Sequence, residues 1–285
     1  MMHFNQLVTI ILVAYYSQKK LGILLSLIPD KYNIIITENS LDKSLKYQIE
    51  KNYRNVKVLI PKKNLGNGGG INFALKNVKT KYALYLDIDV ELDSNSIDSL
   101  IKIAEIKENW AILAPNIVNY KYHLDNFIKK NSEHNLSKMK FVQGCALFFN
   151  YKKLKKYGFF DNKIFLYYEE DDLFFKYHHK NLDIILCKNI YIKHFGNSSS
   201  DKNYSHEIEL NRNWHYMWSK FYYFKKNYSY FRGLKETFGH FIKSILKIIF
   251  FYFTNNKKFL IYKNRASGLI NSYLNKPSWR RPNIK

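Results

Sequence analysis

Hydrophobic positions in the first third of the chain form short apolar runs that are separated by longer, more polar segments. The apolar runs lie at residues 7–15, 33–38, 56–60 and 82–87. Runs of this length between polar residues are typical of buried strands. The segments 19–27, 41–52 and 71–77 place apolar residues at helical spacing. This order predicts an α/β fold with an open, mainly parallel sheet and helices on both faces.

The second half of the chain has a looser pattern that becomes helical. Residues 140–150 predict a further strand that leads into a helix, and residues 165–179 join four consecutive acids to an amphipathic helical pattern. From about residue 205 the chain is rich in aromatic residues and lysine at helical spacing. We therefore expect a sheet-containing domain over residues 1–225 and a basic, aromatic and helical C-terminal extension over residues 226–285.

The most apolar part of this extension is the segment 241–253. Its longest unbroken apolar run, 248–253, is far shorter than the roughly 20 residues that a membrane-spanning helix needs. Lys243 and Lys247 lie one helical turn apart within the segment, as is typical of a helix that lies in the membrane interface. A core helix that packs on the main domain explains the pattern equally well, so both interpretations stay open.

Two features of the chain bear on its compartment. The N-terminal apolar stretch has no Lys or Arg before it and no small-residue cleavage site after it, so we expect a first strand there and not a signal peptide. Cys145 and Cys187 are far apart and do not form the pattern of a disulfide framework, which suits a reducing cytosol.

The formal net charge of +23 calls for an anionic partner. However, six of the 46 basic residues are arginine, the residue best suited to bidentate recognition of phosphates and bases, and the lysines are spread along the whole chain. We therefore expect no nucleic-acid partner. The remaining charge suits an anionic membrane surface or a phosphorylated substrate.

A glycine-rich segment, NLGNGGGINFAL, follows the third predicted strand. A glycine-rich turn between a strand and a helix is typical of phosphate binding. The segment lacks the dinucleotide-binding fingerprint, because Ile71 stands where its final glycine would be. A turn with positive φ would explain any single glycine, but three consecutive glycines are costly to order, so we favour close approach of a ligand. The substrate-binding residues expected in this segment are Asn64, Gly68, Gly69, Gly70 and Asn72.

Two carboxylates one residue apart, Asp87 and Asp89, end the fourth predicted strand. Side chains two apart in a strand point the same way, and like charges this close repel unless a cation lies between them. Mg²⁺ and Mn²⁺ prefer carboxylate oxygens together with substrate phosphates. A solvated pair of loop acids is the commoner explanation for such a pair by itself. Together with the glycine-rich segment, the acidic cluster and the later histidine, the pair favours a divalent cation that bridges to a diphosphate at the edge of the sheet where strands end.

The chain resembles glycosyltransferase family 2, whose members have the GT-A fold, in an ordered set of motifs. These are VTIILVAYYS, IIITENSLDKS, NLGNGGGINFAL, YLDIDVEL, FVQGCALFFN, FFDNKIFLYYEEDDL and KHFGNSSS. The resemblance covers roughly residues 7–225, and the ordered set is far more specific than any one motif. Within the family, the chain is most similar to bacterial rhamnosyltransferases of cell-surface polysaccharide assembly.

The resemblance implies an inverting transferase that uses a UDP- or dTDP-sugar. It implies that Ala14, Tyr15 and Glu38 hold the base and ribose of the nucleotide. It also implies that Asp87 and Asp89 hold a divalent cation, Mg²⁺ or Mn²⁺, mainly through Asp89. In some members a histidine at the position of His194 completes the metal site, and a structural role for His194 is an equally good interpretation.

The resemblance assigns the general base to Glu170, the second residue of the acidic cluster. Glu170 and Glu38 both stand where the family usually has Asp, and both lengthen the reach of the carboxylate by one methylene. Asp172 is the candidate for an acid that charges the N-terminus of the following helix, where acids are favourable. Arg212 and Lys220 are candidates for contact with the diphosphate, but charges on a solvated face are the favoured interpretation.

We therefore expect a nucleotide-sugar glycosyltransferase of cell-surface polysaccharide synthesis with a membrane-associated glycan or lipid-linked acceptor. We expect it in the cytoplasm, and peripheral on the inner face of the cell membrane. One alternative is a Rossmann-type methyltransferase or dehydrogenase, which would carry its glycine motif after the first strand. Another is a basic nucleic-acid-binding protein, which would bind DNA with a steep dependence on salt.

Overall fold

The structure, a computed structural model, describes residues 7–118, 120–129, 135–195 and 205–284. The strands are β1 Val8–Ala14, β2 Asn33–Glu38, β3 Val56–Leu59, β4 Tyr82–Leu86, β5 Val90–Leu92, β6 Trp110–Ile117, β7 Phe127–Lys129, β8 Leu136–Met139, β9 Ala146–Asn150 and β10 Asp183–His194. The helices are α1 Gln18–Leu27, α2 Lys43–Asn52, α3 Gly66–Leu75, α4 Ser94–Ile106, α5 Tyr151–Tyr157, α6 Glu169–His178, α7 Ser205–Asn227, α8 Tyr230–Thr254 and α9 Asn256–Tyr273. Residues 196–200 of the KHFGNSSS motif lie outside the described residues.

The chain divides into two compact units. The first unit comprises Met1–Asn64, Gly70–Phe160 and Leu173–Ser200, and it contains the sheet. The second unit comprises Leu65–Gly69, Asp161–Asp172 and Asp201–Lys285, and it contains α7, α8 and α9. Helix α7 thus groups with the two helices that follow it, whereas the expected boundary after residue 225 places it with the sheet.

The sheet has the strand order β3-β2-β1-β4-β9-β6-β10-β8-β7, and β5 pairs with β10. Strands β3, β2, β1 and β4 are parallel to one another, and β6 is parallel to β10. Strand β9 is antiparallel to both of its neighbours, and β8 is antiparallel to β7 and β10. The α/β prediction is confirmed, with the parallel strands concentrated in the first half of the chain.

Both faces of the sheet are covered by helices. Ile10 and Leu12 of β1 belong to one hydrophobic cluster with residues of α1, α2 and α4. Ile11, which points the other way, belongs to a second cluster with residues of α3, α5 and α6. Each fully buried side chain of this kind contributes about 1.5–3 kcal/mol to stability. Burial on both faces explains why the first strand is a continuous apolar run and does not alternate.

The second unit is held together by close contacts between its long helices. A Cβ atom added to Gly268 of α9 would overlap the backbone carbonyl oxygen of Trp214 in α7. A Cβ atom added to Gly233 of α8 would lie 2.8 Å from the ring of Phe221 in α7. The two glycines therefore let α8 and α9 approach α7 closely.

Helix α8 is a surface helix for most of its length. Its buried residues are Gly233, Thr237, Ser244 and Phe251. In the segment 241–253 this leaves two buried residues, which is not the burial of a core helix. Within the described ranges, the structure contains no helix whose length and apolar character would suffice to cross a membrane.

Candidate active site

Asp87 and Asp89 lie in a turn between β4 and β5. Strand β4 ends at Leu86, one residue earlier than the sequence predicts, so both carboxylates belong to the turn. Ile88 between them is buried in the hydrophobic cluster. The backbone N–H of Asp87 donates to the carbonyl oxygen of Cys145 at 2.8 Å. This hydrogen bond ties the turn to the segment that leads into β9.

His194 reaches this turn through the register of β10. Strand β5 pairs antiparallel with β10, and His194 lies opposite Val90, the residue after Asp89. Its Nε2 atom lies 3.3 Å from Oδ1 of Asp89 and 3.6 Å from Oδ2 of Asp87. One potential ligand atom from each of the three side chains lies within 4.8 Å of the others. The structure therefore brings the three expected metal ligands together.

The electrostatics of this cluster reflect two carboxylates in a confined space. Desolvation raises the pKa of Asp87 to about 6, and the negative charge of Asp89 also raises this pKa. A hydrogen bond from the Tyr85 hydroxyl lowers it. The hydrogen bond to Asp89 raises the pKa of the His194 imidazole. A nearby cation would relieve the repulsion between the carboxylates.

The donor set fits a divalent cation. Carboxylate oxygens are the ligands that Mg²⁺ and Mn²⁺ prefer, and imidazole is the commonest metal ligand among side chains. Asp89 is the most buried of the three, with 4% of its side chain exposed. The site can therefore hold a cation through Asp89, Asp87 and His194.

The ends of β1, β2 and β4 meet at the same edge of the sheet. In the parallel pairing, Leu12 of β1 lies opposite Leu86 of β4, and Ala14 lies opposite Glu38 of β2. The residues that follow these strands are therefore neighbours at the carboxyl edge, where open α/β sheets bind ligands.

Tyr15 and Asn64, expected in different parts of the donor site, are in direct contact. The Tyr15 hydroxyl is hydrogen-bonded to the Asn64 side chain, and burial raises the pKa of Tyr15 to about 12. The backbone N–H of Asn39 donates to the carbonyl oxygen of Ala14 at 2.8 Å. These contacts fix the segments that leave β1, β2 and β3.

The Glu38 carboxylate is buried and supports the loop between β2 and α2. It accepts hydrogen bonds from the backbone N–H of Asp42 at 2.7 Å and of Ser40 at 3.1 Å. It also accepts one from the Ser40 hydroxyl. Both carboxylate oxygens are used, so the loop fixes the orientation of this group at the carboxyl edge.

The glycine-rich segment is helical and does not form a turn. Helix α3 begins at Gly66, so Gly68–Gly70 lie in its first two turns. Gly66 has a φ of +76°, and a Cβ there would overlap the carbonyl oxygen of Phe165. A Cβ at Gly70 would lie 2.9 Å from the Val13 side chain. Close packing of α3 on β1 therefore explains Gly70, in place of the ligand contact that the sequence favours.

Asn72 of α3 is buried and bound to the backbone of Phe160. Its Nδ2 donates to the Phe160 carbonyl at 2.9 Å, and its Oδ1 accepts from the Phe160 N–H at 3.1 Å. Both ends of this amide thus anchor the chain before α6, a structural role that the sequence does not reveal.

The acidic cluster forms the first turn of α6, as predicted. Asp172 is buried and accepts hydrogen bonds from Lys226 Nζ at 2.8 Å and Asn227 Nδ2 at 2.9 Å. Glu169 is also buried, whereas Glu170 and Asp171 are half-buried. Burial raises the pKa of Asp171 to about 6. Asp172 therefore has a structural role, because it binds side chains at the end of α7.

Two strained residues immediately precede this turn. Tyr167 and Tyr168 have φ values of 65° and 66°, which cost bulky residues of order 1–3 kcal/mol each. Ring contacts hold them in place. Tyr167 lies 5.5 Å from Tyr216, and Tyr168 lies 5.4 Å from Tyr223, measured between ring centroids. The sequence offers the pair as side chains that could shape an acceptor pocket, although coincidence is the better explanation in a chain with 24 tyrosines. Strained backbone of this kind clusters at functional sites.

Comparison with protein families and curated proteins gives a consistent result. The family model of glycosyl transferase family 2 matches residues 9–170. The low-salt glycan biosynthesis hexosyltransferase Agl10 of Haloferax volcanii is 22% identical over 200 residues, which are 63% of this chain and 64% of that protein. An uncharacterized glycosyltransferase of Rickettsia typhi is 26% identical over 156 residues, which are 50% of this chain and 48% of that protein. The chain thus spans less than two thirds of either relative.

Solved structures with similar backbones cover nearly the whole chain. A mannosyltransferase from Pyrobaculum calidifontis in complex with GDP-Man and Mn²⁺ has a TM-score of 0.57 at 10% identity, covering 94% of this chain and 87% of its own. Residues 1–349 of S. aureus TarS have a TM-score of 0.54 at 15% identity, covering 95% and 92%. At such low identity the likeness is one of fold.

Proposed function

Because the chain belongs to glycosyl transferase family 2, whose model matches more than half of it, we propose that it transfers a sugar from a UDP- or dTDP-sugar to a glycan or lipid-linked acceptor. The fold is GT-A, as the resemblance implies. The observation that carries the proposal is the cluster of Asp87, Asp89 and His194 at the carboxyl edge of the parallel strands. Because the chain belongs to this family, the methyltransferase and dehydrogenase alternatives are no longer needed to explain its sequence.

In this proposal the residues at the carboxyl edge hold the donor. Asp89, Asp87 and His194 would hold Mg²⁺ or Mn²⁺, which when bound supplies Lewis-acid stabilisation of the diphosphate leaving group. Tyr15, next to Ala14, and Asn64 would contact the nucleotide, and Glu38 would hold the ribose. Glu170 would accept the proton of the acceptor hydroxyl.

The identity of the sugar is a further part of the proposal. The resemblance to rhamnosyltransferases suggests a rhamnose-like donor. Structures with similar folds were solved with GDP-Man and with UDP-GlcNAc, so the likeness supports a nucleotide-sugar donor without favouring one sugar.

A panel of nucleotide sugars tests this function directly. The protein is mixed with each donor and Mn²⁺, and thermal unfolding is measured. The true donor is expected to raise the free energy of unfolding by about 2.7 kcal/mol when it is present at 100 times its Kd, because it binds the folded state alone. If no nucleotide sugar shifts the unfolding temperature with either Mn²⁺ or Mg²⁺, the proposed function is rejected.

We further propose that α8 holds the enzyme on an anionic membrane surface. Large apolar side chains recur at helical spacing on its exposed side, and we call this set the α8 stripe. It consists of Phe231, Phe238, Ile242, Ile245, Leu246, Ile249 and Phe253. Residues 230–285 contain twelve basic residues and one acidic residue. A charge of this sign favours anionic lipid over a second copy of the same chain.

Charged substitutions in the α8 stripe test this surface. The double variant Leu246→Asp, Ile249→Asp is expected to bind anionic vesicles roughly 10²-fold or more weakly, because each side chain contributes about 1.5–3 kcal/mol on insertion. Vesicle sedimentation at low salt measures the effect. Ile23→Asp with Ile106→Asp is the matched control, since both isoleucines are exposed on α1 and α4. Wild-type protein that never sediments with anionic vesicles contradicts the proposal.

A further inference from the structure

A group of basic side chains lies among α7, α8 and α9 of the second unit. Nζ of Lys220 on α7 lies 3.0 Å from Nε2 of His240 on α8. A lysine ammonium can only donate, so Nε2 accepts the hydrogen bond and the proton of the neutral imidazole is on Nδ1. From the sequence, Lys220 is expected on a solvated face, whereas in the structure it is half-buried and contacts this imidazole.

The surroundings of His240 are strongly positive. Burial lowers the pKa of its imidazole, and the charges of Lys220, Arg265 and Lys243 lower it further. Cations from three helices therefore act on one imidazole, and Lys220 is in direct contact with it. Such an arrangement costs electrostatic free energy unless an anion offsets it.

Arg265 on α9 adds an unused donor to this group. Its Nε atom is buried and has no hydrogen-bond partner among the described residues. Its guanidinium carbon lies 5.8 Å from the centre of the Tyr262 ring. A buried donor without an acceptor costs about 1–3 kcal/mol, which would be recovered if the guanidinium moved to meet an acceptor.

Acidic residues of these helices do not neutralise the group. Glu236, one turn before His240 on α8, is paired with Arg232 at 2.7 Å. Glu207 of α7 lies 3.4 Å from Arg280. In the described part of the chain, Lys220, His240 and Arg265 form no ion pair with a carboxylate.

We propose that Lys220, His240 and Arg265 form a binding site for a phosphate group. Phosphate oxygens accept several charge-assisted hydrogen bonds, and a guanidinium matches their geometry. This site goes beyond the proposed transfer reaction, because it requires neither the sugar donor nor the cation.

The phosphate can belong to a soluble molecule or to a lipid headgroup. At 3.6 residues per turn, Lys243 lies on the flank of α8 between its buried side and the α8 stripe, whereas His240 lies on the buried side. A lipid whose chains contact the stripe would bring its phosphate to the flank that carries Lys243, one turn from His240. The chemistry recognised is the same in both cases.

The first arm of the test measures calorimetric binding of inorganic pyrophosphate to the full-length protein in EDTA, which excludes cation-mediated binding at Asp87 and Asp89. Arg265→Gln and Lys220→Gln are each expected to weaken binding about tenfold, the equivalent of one charge-assisted hydrogen bond. Lys263→Gln, which removes an exposed charge from the same helix, is the matched control and should change affinity less than about twofold.

The second arm measures binding to vesicles of phosphatidylcholine with and without phosphatidylglycerol. Loss of pyrophosphate binding in Arg265→Gln assigns the site to soluble phosphates, and loss of binding to anionic vesicles alone assigns it to lipid phosphate. If Arg265→Gln does not unfold cooperatively and is therefore misfolded, Arg265→Lys is used in its place. Lysine keeps the positive charge but lacks the planar guanidinium. The proposal is overturned if wild-type protein binds neither ligand, or if the Arg265 and Lys220 variants bind both ligands as the wild type does.

Discussion

Glu170→Gln is expected to lower turnover by about 10²–10⁴-fold, the usual contribution of a general base, while donor affinity stays near the wild-type value. The acceptor hydroxyl must lose its proton as the new bond forms, and a carboxylate at hydrogen-bond distance assists that loss. Glutamine keeps the size and hydrogen-bonding capacity of the side chain but cannot take the proton. Steady-state turnover and calorimetric donor affinity separate the two effects.

Asp171 provides the competing assignment. Burial raises its pKa to about 6, and a base with a pKa near the working pH is an efficient one. Asp171→Asn is therefore measured beside Glu170→Gln. Normal turnover in Glu170→Gln with an inactive Asp171→Asn would move the base to Asp171. Activity in these two variants and in Glu169→Gln would remove the base from this turn altogether.

Asp89→Ala is expected to abolish the cation dependence of nucleoside diphosphate binding with the fold intact. In the wild type, Mn²⁺ should strengthen UDP binding at least about tenfold over EDTA, or about 1.4 kcal/mol. In the variant the two affinities should be equal, because the most buried carboxylate of the cluster is lost. Titration calorimetry in Mn²⁺ and in EDTA measures both values.

A neighbouring acid provides the control for this variant. Glu91 lies in β5 and forms an exposed ion pair with Lys193 at 3.1 Å, and such pairs contribute little to stability. Glu91→Ala should therefore keep the cation dependence. Equal affinity of the wild type for UDP in Mn²⁺ and in EDTA would reject the metal assignment itself.

The first four strands could be predicted from the sequence to within one or two residues. Strands β1, β2 and β4 are mainly apolar runs that are buried in the sheet, and β3 alternates between buried valines and the exposed Lys57, so local composition suffices. The same local signal identifies the turn of Asp87 and Asp89, because their charges interrupt such a run. The prediction is wrong there only in the end of the strand, because β4 ends at Leu86 and not at Asp87.

The position of His194 could not be derived from a local pattern. It depends on the pairing of β5 with β10, which joins segments far apart in the sequence. The glycines of α3 show a similar limit, because their packing partners Val13 and Phe165 come from distant segments. Long-range pairing and close packing thus decide features that composition alone leaves open.

A cation held by Asp89 and His194 would also act as a cross-link between the turn before β5 and the end of β10. It would close the long chain segment that separates the two strands, and a ligand that binds the folded state alone stabilises that state. A one-residue insertion between Ile192 and His194 would turn the imidazole to the opposite face of the sheet and open this cross-link. Length changes in this short stretch of β10 would therefore cost the protein both its metal affinity and part of its resistance to unfolding.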